Sequence, residues 1–277
     1  MGRLLLIGAD PVLSGALRAS HYLQHHEVEA CGGPFECARV VRHRGVDLVI
    51  TDPTTPAAEN LTLIKELRSI RPGLRAIVLA PVLSNADVIA ALREQVYACF
   101  TRPVDYEEVA EMARAAIEDP EWREAIEVVS GLPYWITLRV SCRVITADRL
   151  TRFMTEYRSD LPSGDHDLLM TAFREMLLNA MEHGAGFDPE KVIEVTAAKT
   201  KRTVVFHFRD PGDGFDRDDL RHAATSPQPD DVMASVMERV EAGKRPGGFG
   251  MLIVRQIVDE LVYNERGNEV LMIKYLS

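Results

Sequence analysis

The stretch FREMLLNAMEHGAG, residues 173–186, decides how the second half of this chain is read. It has the apolar spacing of an amphipathic helix, with Leu169, Ala172, Phe173, Met176 and Ala180 on one stripe. Ser163 or Asp165 is placed to start that helix, and Gly184 and Gly186 to end it. Glu175, Asn179 and His183 recur every four residues. At about 100° per residue they fall along one edge of the stripe, while Arg174 and Leu178 are expected on the far, solvent face. Three polar groups at a core boundary need partners, and either local hydrogen bonds or a ligand would serve.

Two downstream segments bear on that choice. In VVFHFRDPGDGFD (204–216), an alternating strand runs into Asp210-Pro211-Gly212-Asp213-Gly214-Phe215. Gly212 and Gly214 permit close backbone approach, and Asp210 offers a carboxylate acceptor. In KRPGGFGMLIVRQIVDEL (244–261), Gly247, Gly248 and Gly250 open an apolar helix. Unpaired N–H groups at such a helix start attract anions. Between the two, residues 217–247 are polar and helix-capable, with a loop at SPQPDD. Lys244 and Arg245 there either reach a bound anion or are simply solvated.

In this order the three segments resemble the boxes of the GHKL ATPase superfamily of gyrases, chaperones and sensor kinases. EMLLNAMEHG matches the N box, DPGDGF the first glycine box and GGFGM the second. Within the superfamily, residues from about 130 to 277 look most like the anti-sigma-factor serine kinases. The resemblance implies an α+β sandwich, a mixed sheet with helices on one face, binding ATP and Mg²⁺. It implies Asn179 as the Mg²⁺ ligand, Glu175 as general base and Asp210 as acceptor of the adenine amino group. Gly212 and Gly214 would let the base sit against the backbone, Gly248 and Gly250 would cradle the phosphates, Phe215, Gly247 and Met251 would be further ATP-binding residues, and His183 would line the site. Residues 217–247 would be the ATP lid.

The first half alternates apolar runs, RLLLIGA (3–9), EVEACGG (27–33), VDLVITD (46–52), RAIVLAP (75–81) and YACFTRP (97–103), with five helix-like segments. That pattern predicts a flavodoxin-like doubly wound parallel sheet over residues 1–119. Its function would sit at the carboxyl ends of the strands. DLVITDPTTP and CFTRPVD resemble the phosphoacceptor and Lys-Pro segments of response-regulator receiver domains. Asp52 would then be the phosphoacceptor, with Asp10 and Arg102 nearby. Gly8 and Ala9 stand where the family has its acidic, Mg²⁺-holding pair, Ala80 where it has a hydroxyl, and Arg102 where it has lysine. Either Asp52 is still phosphorylated, with Asp10 helping, or the domain is a pseudo-receiver that docks partners. The missing carboxylates favour the second, because phosphoryl transfer to a carboxylate needs a cation on oxygen ligands.

Residues 120–133 are expected to link the halves, with Trp122, Ile126 and Val129 at helical spacing extending the last receiver helix. The chain of 277 residues is 46% hydrophobic and carries a net charge of −10, which argues against a nucleic-acid partner. Cys31, Cys37, Cys99 and Cys142 have neither metal-ligand nor disulfide-framework spacing. The apolar run in MGRLLLIGADP is too short for a signal or a membrane span, so a cytoplasmic protein without a membrane partner is expected. The resemblance implies a serine/threonine kinase acting on an anti-anti-sigma-like antagonist. A sigma factor, an upstream histidine kinase and a homodimer are further candidate partners. Two alternatives stay open: a nucleotide-gated interaction protein without kinase activity, and an ATPase that phosphorylates a histidine phosphotransfer protein in trans.

Overall fold

The structure, a computed structural model, describes residues 1–8, 10–158, 161, 163–214 and 249–276. It divides into two compact units, Met1–Val128 with Arg152–Asp160, and Val129–Thr151 with Leu161–Ser277.

The first unit alternates β1 (Arg3–Ile7), α1 (Pro11–Ala19), β2 (Glu27–Cys31), α2 (Pro34–His43), β3 (Leu48–Ile50), α3 (Ala57–Ile70), β4 (Arg75–Ala80), α4 (Asn85–Arg93), β5 (Ala98–Thr101) and α5 (Tyr106–Glu118). The strands form a sheet of order β2-β1-β3-β4-β5, and every pair is parallel. This is the expected doubly wound, flavodoxin-like arrangement of a receiver. With helices covering both faces, the strands are apolar runs without alternation. Leu4, Leu6, Ile50, Ile77, Leu79 and Phe100 are all buried in one core. Local chemistry sets the helix starts. Asp10 caps α1 by accepting from the Val12 and Leu13 N–H groups, Ser84 and Asp87 form a capping box on α4, and Asp105 caps α5.

Two buried polar residues pin the β3–α3 loop. The Thr51 hydroxyl donates to Leu79 C=O at 3.0 Å and accepts from Leu79 N–H at 2.9 Å. The Asn60 amide donates to the carbonyls of Asp52, Thr55 and Leu79. The four cysteines are free and buried. Burial pushes the Cys99 thiol up, and that of Cys142 to about 11, so neither presents a thiolate at neutral pH.

The helical linker is not what forms. Trp122 joins the core of the first unit, with the Arg68 guanidinium 5.3 Å from its ring centre. Ile126–Leu132 is a strand, β6. The β-branched Ile126, Val128 and Val129 suit an extended edge better than a helix. Then follow β7 (Trp135–Ser141), α6 (Val144–Tyr157), α7 (Ser163–Asn179), a π-helical turn (Ala180–Gly184), β8 (Val192–Lys199), β9 (Thr203–Arg209), α8 (Phe249–Ile257), β10 (Glu260–Tyr263) and β11 (Glu269–Tyr275). The sheet order is β10-β11-β9-β8-β7-β6. Where a mixed sheet was expected, the ladders joining β7, β8, β9, β11 and β10 are all antiparallel. The β10–β11 hairpin sets β11 beside β9, which keeps β10 from pairing with β9. Alternation along β7, β8 and β9 puts Ile136, Leu138, Val195, Ala197, Phe206 and Phe208 in the core. Phe173 of α7 meets them, its ring centre 4.9 Å from Phe206 and 5.3 Å from Phe208.

Candidate functional site

Helix α7 carries the polar edge. Glu175 and Asn179 are half-buried on it, and His183 is exposed on the π-helical turn that follows. The far face differs from the expectation. Leu178 is fully buried, and Arg174 is held by Asp148 of α6 through bonds of 2.9 Å from Nε and 2.6 Å from Nη2. Helix α7 is therefore covered on that side too. The Arg174 guanidinium also lies 3.9 Å from Glu175 Oε1, a counter-charge that sequence spacing alone assigned to solvent.

Glycines record where the motifs meet. A Cβ on Gly250, in the first turn of α8, would lie 2.6 Å from Glu175 Oε2. A Cβ on Gly184 would lie 2.1 Å from the carboxyl carbon of Asp210, and one on Gly212 would lie 2.7 Å from Gly184 C=O. The end of α7, the end of β9 and the start of α8 thus converge. Met251 follows on α8, its sulfur 3.9 Å from the Tyr263 hydroxyl. Gly214 has φ +83°, and a Cβ there would lie 1.8 Å from Arg266 C=O. The approaches that Gly212 and Gly214 permit in this structure are therefore to the helix end and to the β10–β11 turn. Phe215, Gly247, Gly248, Lys244, Arg245 and the lid 217–247 lie outside the described residues.

Asp210 Oδ1 accepts from Gly212 N–H at 2.8 Å. Desolvation raises the Asp210 pKa, and the Gly212 hydrogen bond, Arg266 and His183 oppose that rise. A carboxylate kept partly dry in this way gains by meeting a donor. Glu175 thus lies beside Gly250, and Asp210 beside Gly184 and Gly212, with Asn179 one turn after Glu175 on α7, giving two carboxylates and an amide. That donor set fits Mg²⁺ and a nucleotide: an amide oxygen for a hard cation, and a carboxylate acceptor for an exocyclic amine.

Comparison with known proteins agrees with this geometry. Residues 141–274 match the family described as histidine kinase-like ATPase domain. That stretch is thus similar to histidine kinase-like ATPase domains. The chain is 30% identical over 148 residues to transcriptional regulatory protein GlrR of Escherichia coli (strain K12), covering 51% of this chain and 33% of that protein. It is 29% identical over 92 residues to DNA-binding transcriptional regulator NtrC of Azospirillum brasilense, covering 33% of this chain and 19% of the relative. The chain thus spans about a third or less of the length of these curated relatives. Among solved structures, a CheY-like receiver domain protein from Methanospirillum hungatei JF-1 superposes with TM-score 0.38 at 19% identity, over 43% of this chain and 94% of that one. The non-phosphorylated HemR receiver domain of Leptospira biflexa gives 0.39 at 17% identity, over 44% and 98%. A doubly wound parallel-sheet unit and a stretch similar to histidine kinase-like ATPase domains therefore share one chain.

In the receiver, Asp52 Oδ1 accepts from the N–H and hydroxyl of Thr54 at 2.7 and 2.6 Å. Gly8, with φ +94°, packs on the other oxygen, and a Cβ there would lie 2.3 Å from Asp52 Oδ2. Asp10 spends Oδ1 on the α1 cap, and its Oδ2 is 4.0 Å from Arg102. Ala9 lies outside the described residues. Among the described residues, no group of three or more His, Cys, Asp or Glu side chains is arranged to hold a metal. No described helix is long and apolar enough to cross a membrane.

Proposed function

We propose that the ATPase domain binds Mg·ATP and transfers its γ-phosphoryl group to a serine or threonine hydroxyl of a small partner protein, an antagonist of the anti-anti-sigma kind. The observation that carries this reading is Glu175, a carboxylate on α7 against which the bare Cα of Gly250 packs. A base fixed beside the glycine start of α8 is where a nucleophile for a phosphoryl group at that helix end would be activated. Asn179, one turn along, would ligate Mg²⁺, which supplies charge neutralisation on the phosphates. Asp210 would accept from the adenine amino group.

In the transfer, the partner hydroxyl oxygen forms the new bond to the γ-phosphorus, and the bond from that phosphorus to its bridging oxygen breaks. Glu175 takes the hydroxyl proton and ADP leaves. The receiver, on this reading, acts without phosphorylation: Gly8 offers no carboxylate to a metal, and Thr54 donates to one oxygen of Asp52. It would serve as a docking or biasing module for signalling partners such as a sigma factor.

The test is phosphorylation of candidate antagonists encoded beside this protein, with radiolabelled ATP. Glu175→Gln should lower the transfer rate by about 10²–10⁴-fold and leave ATP affinity within a few-fold. The product should be acid-stable. An acid-labile product would instead indicate a phosphohistidine partner, and partner capture without any transfer would indicate a nucleotide-gated interaction protein.

A further inference from the structure

We propose that Asn268, in the β10–β11 turn, is a positioning residue that sets purine selectivity through Asp210, an inference resting on the reading of this site as a nucleotide site. Asn268 brackets Asp210. Its carbonyl accepts from Asp210 N–H at 3.0 Å, and its side-chain amide donates to Asp210 C=O at 3.3 Å. It does so from a buried position, 8% exposed, which is costly for an amide unless its polar atoms are paired.

The bracket is itself held. Asn268 Oδ1 accepts from the Asn264 amide at 2.9 Å. Asn264 Oδ1 in turn accepts from three successive main-chain N–H groups, Gly267 at 2.8 Å, Asn268 at 3.1 Å and Glu269 at 3.2 Å. Arg266 adds a tie from the same turn, donating from Nη2 to Asp213 Oδ1 at 3.0 Å and from Nε to Asp213 C=O at 3.3 Å. Gly214 packs its bare Cα on Arg266 C=O. The turn and the Asp210–Gly214 loop are thus interlocked, with Asn268 gripping the main chain of Asp210.

The chemistry gives this grip a consequence. Adenine presents an amino donor at its six-position, where guanine presents a carbonyl acceptor. A fixed, partly desolvated carboxylate pairs with the first and repels the second. Selectivity therefore depends on the carboxylate staying put. A main chain free to shift would let Asp210 turn away from guanine and surrender the discrimination. Arg209 and Glu269 are directly paired in the β9–β11 ladder, so the ladder alone fixes the residues one step earlier. Asn268 extends that order to Asp210.

The test measures affinities of the full chain for ATP, GTP and tripolyphosphate, each with Mg²⁺, in the parent, Asn268→Asp and Asn268→Gln. Asn268→Asp is nearly isosteric but cannot donate to Asp210 C=O. It should narrow the ATP:GTP affinity ratio by about tenfold and leave tripolyphosphate affinity unchanged. Asn268→Gln, which keeps the donor, should recover part of the ratio. If Asn268→Asp does not fold, Asn264→Ala, which loosens Asn268 without touching Asp210, must narrow the ratio in the same sense. A parent that prefers ATP while the variants keep its ratio overturns the positioning role alone. Equal losses for ATP, GTP and tripolyphosphate also overturn it, by reducing Asn268 to a general structural part. A parent that binds neither nucleotide overturns the nucleotide reading, and this inference with it.

Discussion

At the scale of single residues, glycines mark where the site is tightest, and they fail differently when filled. A methyl group on Gly250 meets the flexible tip of Glu175, which swings aside at little energetic cost. Gly250→Ala should leave stability within about 0.5 kcal/mol but lower phosphoryl transfer about tenfold or more by displacing the base. Urea melts and transfer rates read the two effects separately. A methyl group on Gly184 instead meets the stem of the short Asp210 side chain, which cannot retreat without moving backbone. Gly184→Ala should cost about 1–3 kcal/mol and reduce ATP binding. Asp210 obeys a different rule. Its folded pKa is raised by desolvation, so ionisation disfavours the fold at neutral pH. That penalty disappears as pH falls through the folded value and below the ordinary carboxylate value. Asp210→Asn should therefore hold or raise stability at pH 7 relative to the parent, lose that advantage in acid, and abolish ATP selectivity. Parallel melts at pH 7 and pH 3 check the sign.

At the scale of elements, α7 does two jobs: one face packs the sheet while one edge presents Glu175 and Asn179. Phe173→Ala removes a ring buried between Phe206 and Phe208. It should destabilise the ATPase domain by about 3–5 kcal/mol, seen as an earlier second-domain transition in calorimetry. Much of this helix was legible, because a period of 3.6 residues places Phe173 and Met176 inward and Glu175 and Asn179 at the boundary, whereas His183 is exposed on the turn that follows. The burial of Leu178 was not, because α6 comes from a separate stretch of chain and its Asp148 reaches Arg174 only in the fold. The same limit hid Asn268, whose partner Asp210 is 58 residues away, and with it the role of Asn264; their turn, Gly267-Asn268, reads as an ordinary hairpin signal. The strand at Ile126–Leu132 was missed for a local reason. Trp122, Ile126 and Val129 imitate helical spacing, but the β-branched run and the free edge of β7 favour a strand.

At the scale of the whole molecule, the chain joins a doubly wound parallel-sheet unit to a unit similar to histidine kinase-like ATPase domains. The alternation of apolar runs and amphipathic segments made the first legible, and the order of three motifs made the second legible. The structure adds a reason for the missing acidic pair. Gly8 has φ +94°, and a Cβ there would lie 2.3 Å from Asp52 Oδ2, so no side chain fits at this position without moving Asp52. Gly8→Asp should therefore cost about 1–3 kcal/mol without creating Mg²⁺ binding in the receiver, as titration calorimetry of the Asn179→Ala background would show. Acetyl phosphate should likewise leave Asp52 unlabelled, and intact-mass measurement reads that directly. The central claim, that the second unit binds Mg·ATP through Asn179, is tested most directly by thermal unfolding of the full chain with ATP, with and without Mg²⁺, in the parent and in Asn179→Ala. Ligand at about 100 times its dissociation constant stabilises its domain by about 2.7 kcal/mol, a shift of several degrees. The account predicts a Mg²⁺-dependent shift in the parent that is lost in Asn179→Ala; no shift in the parent, or an equal shift in both proteins, would contradict it.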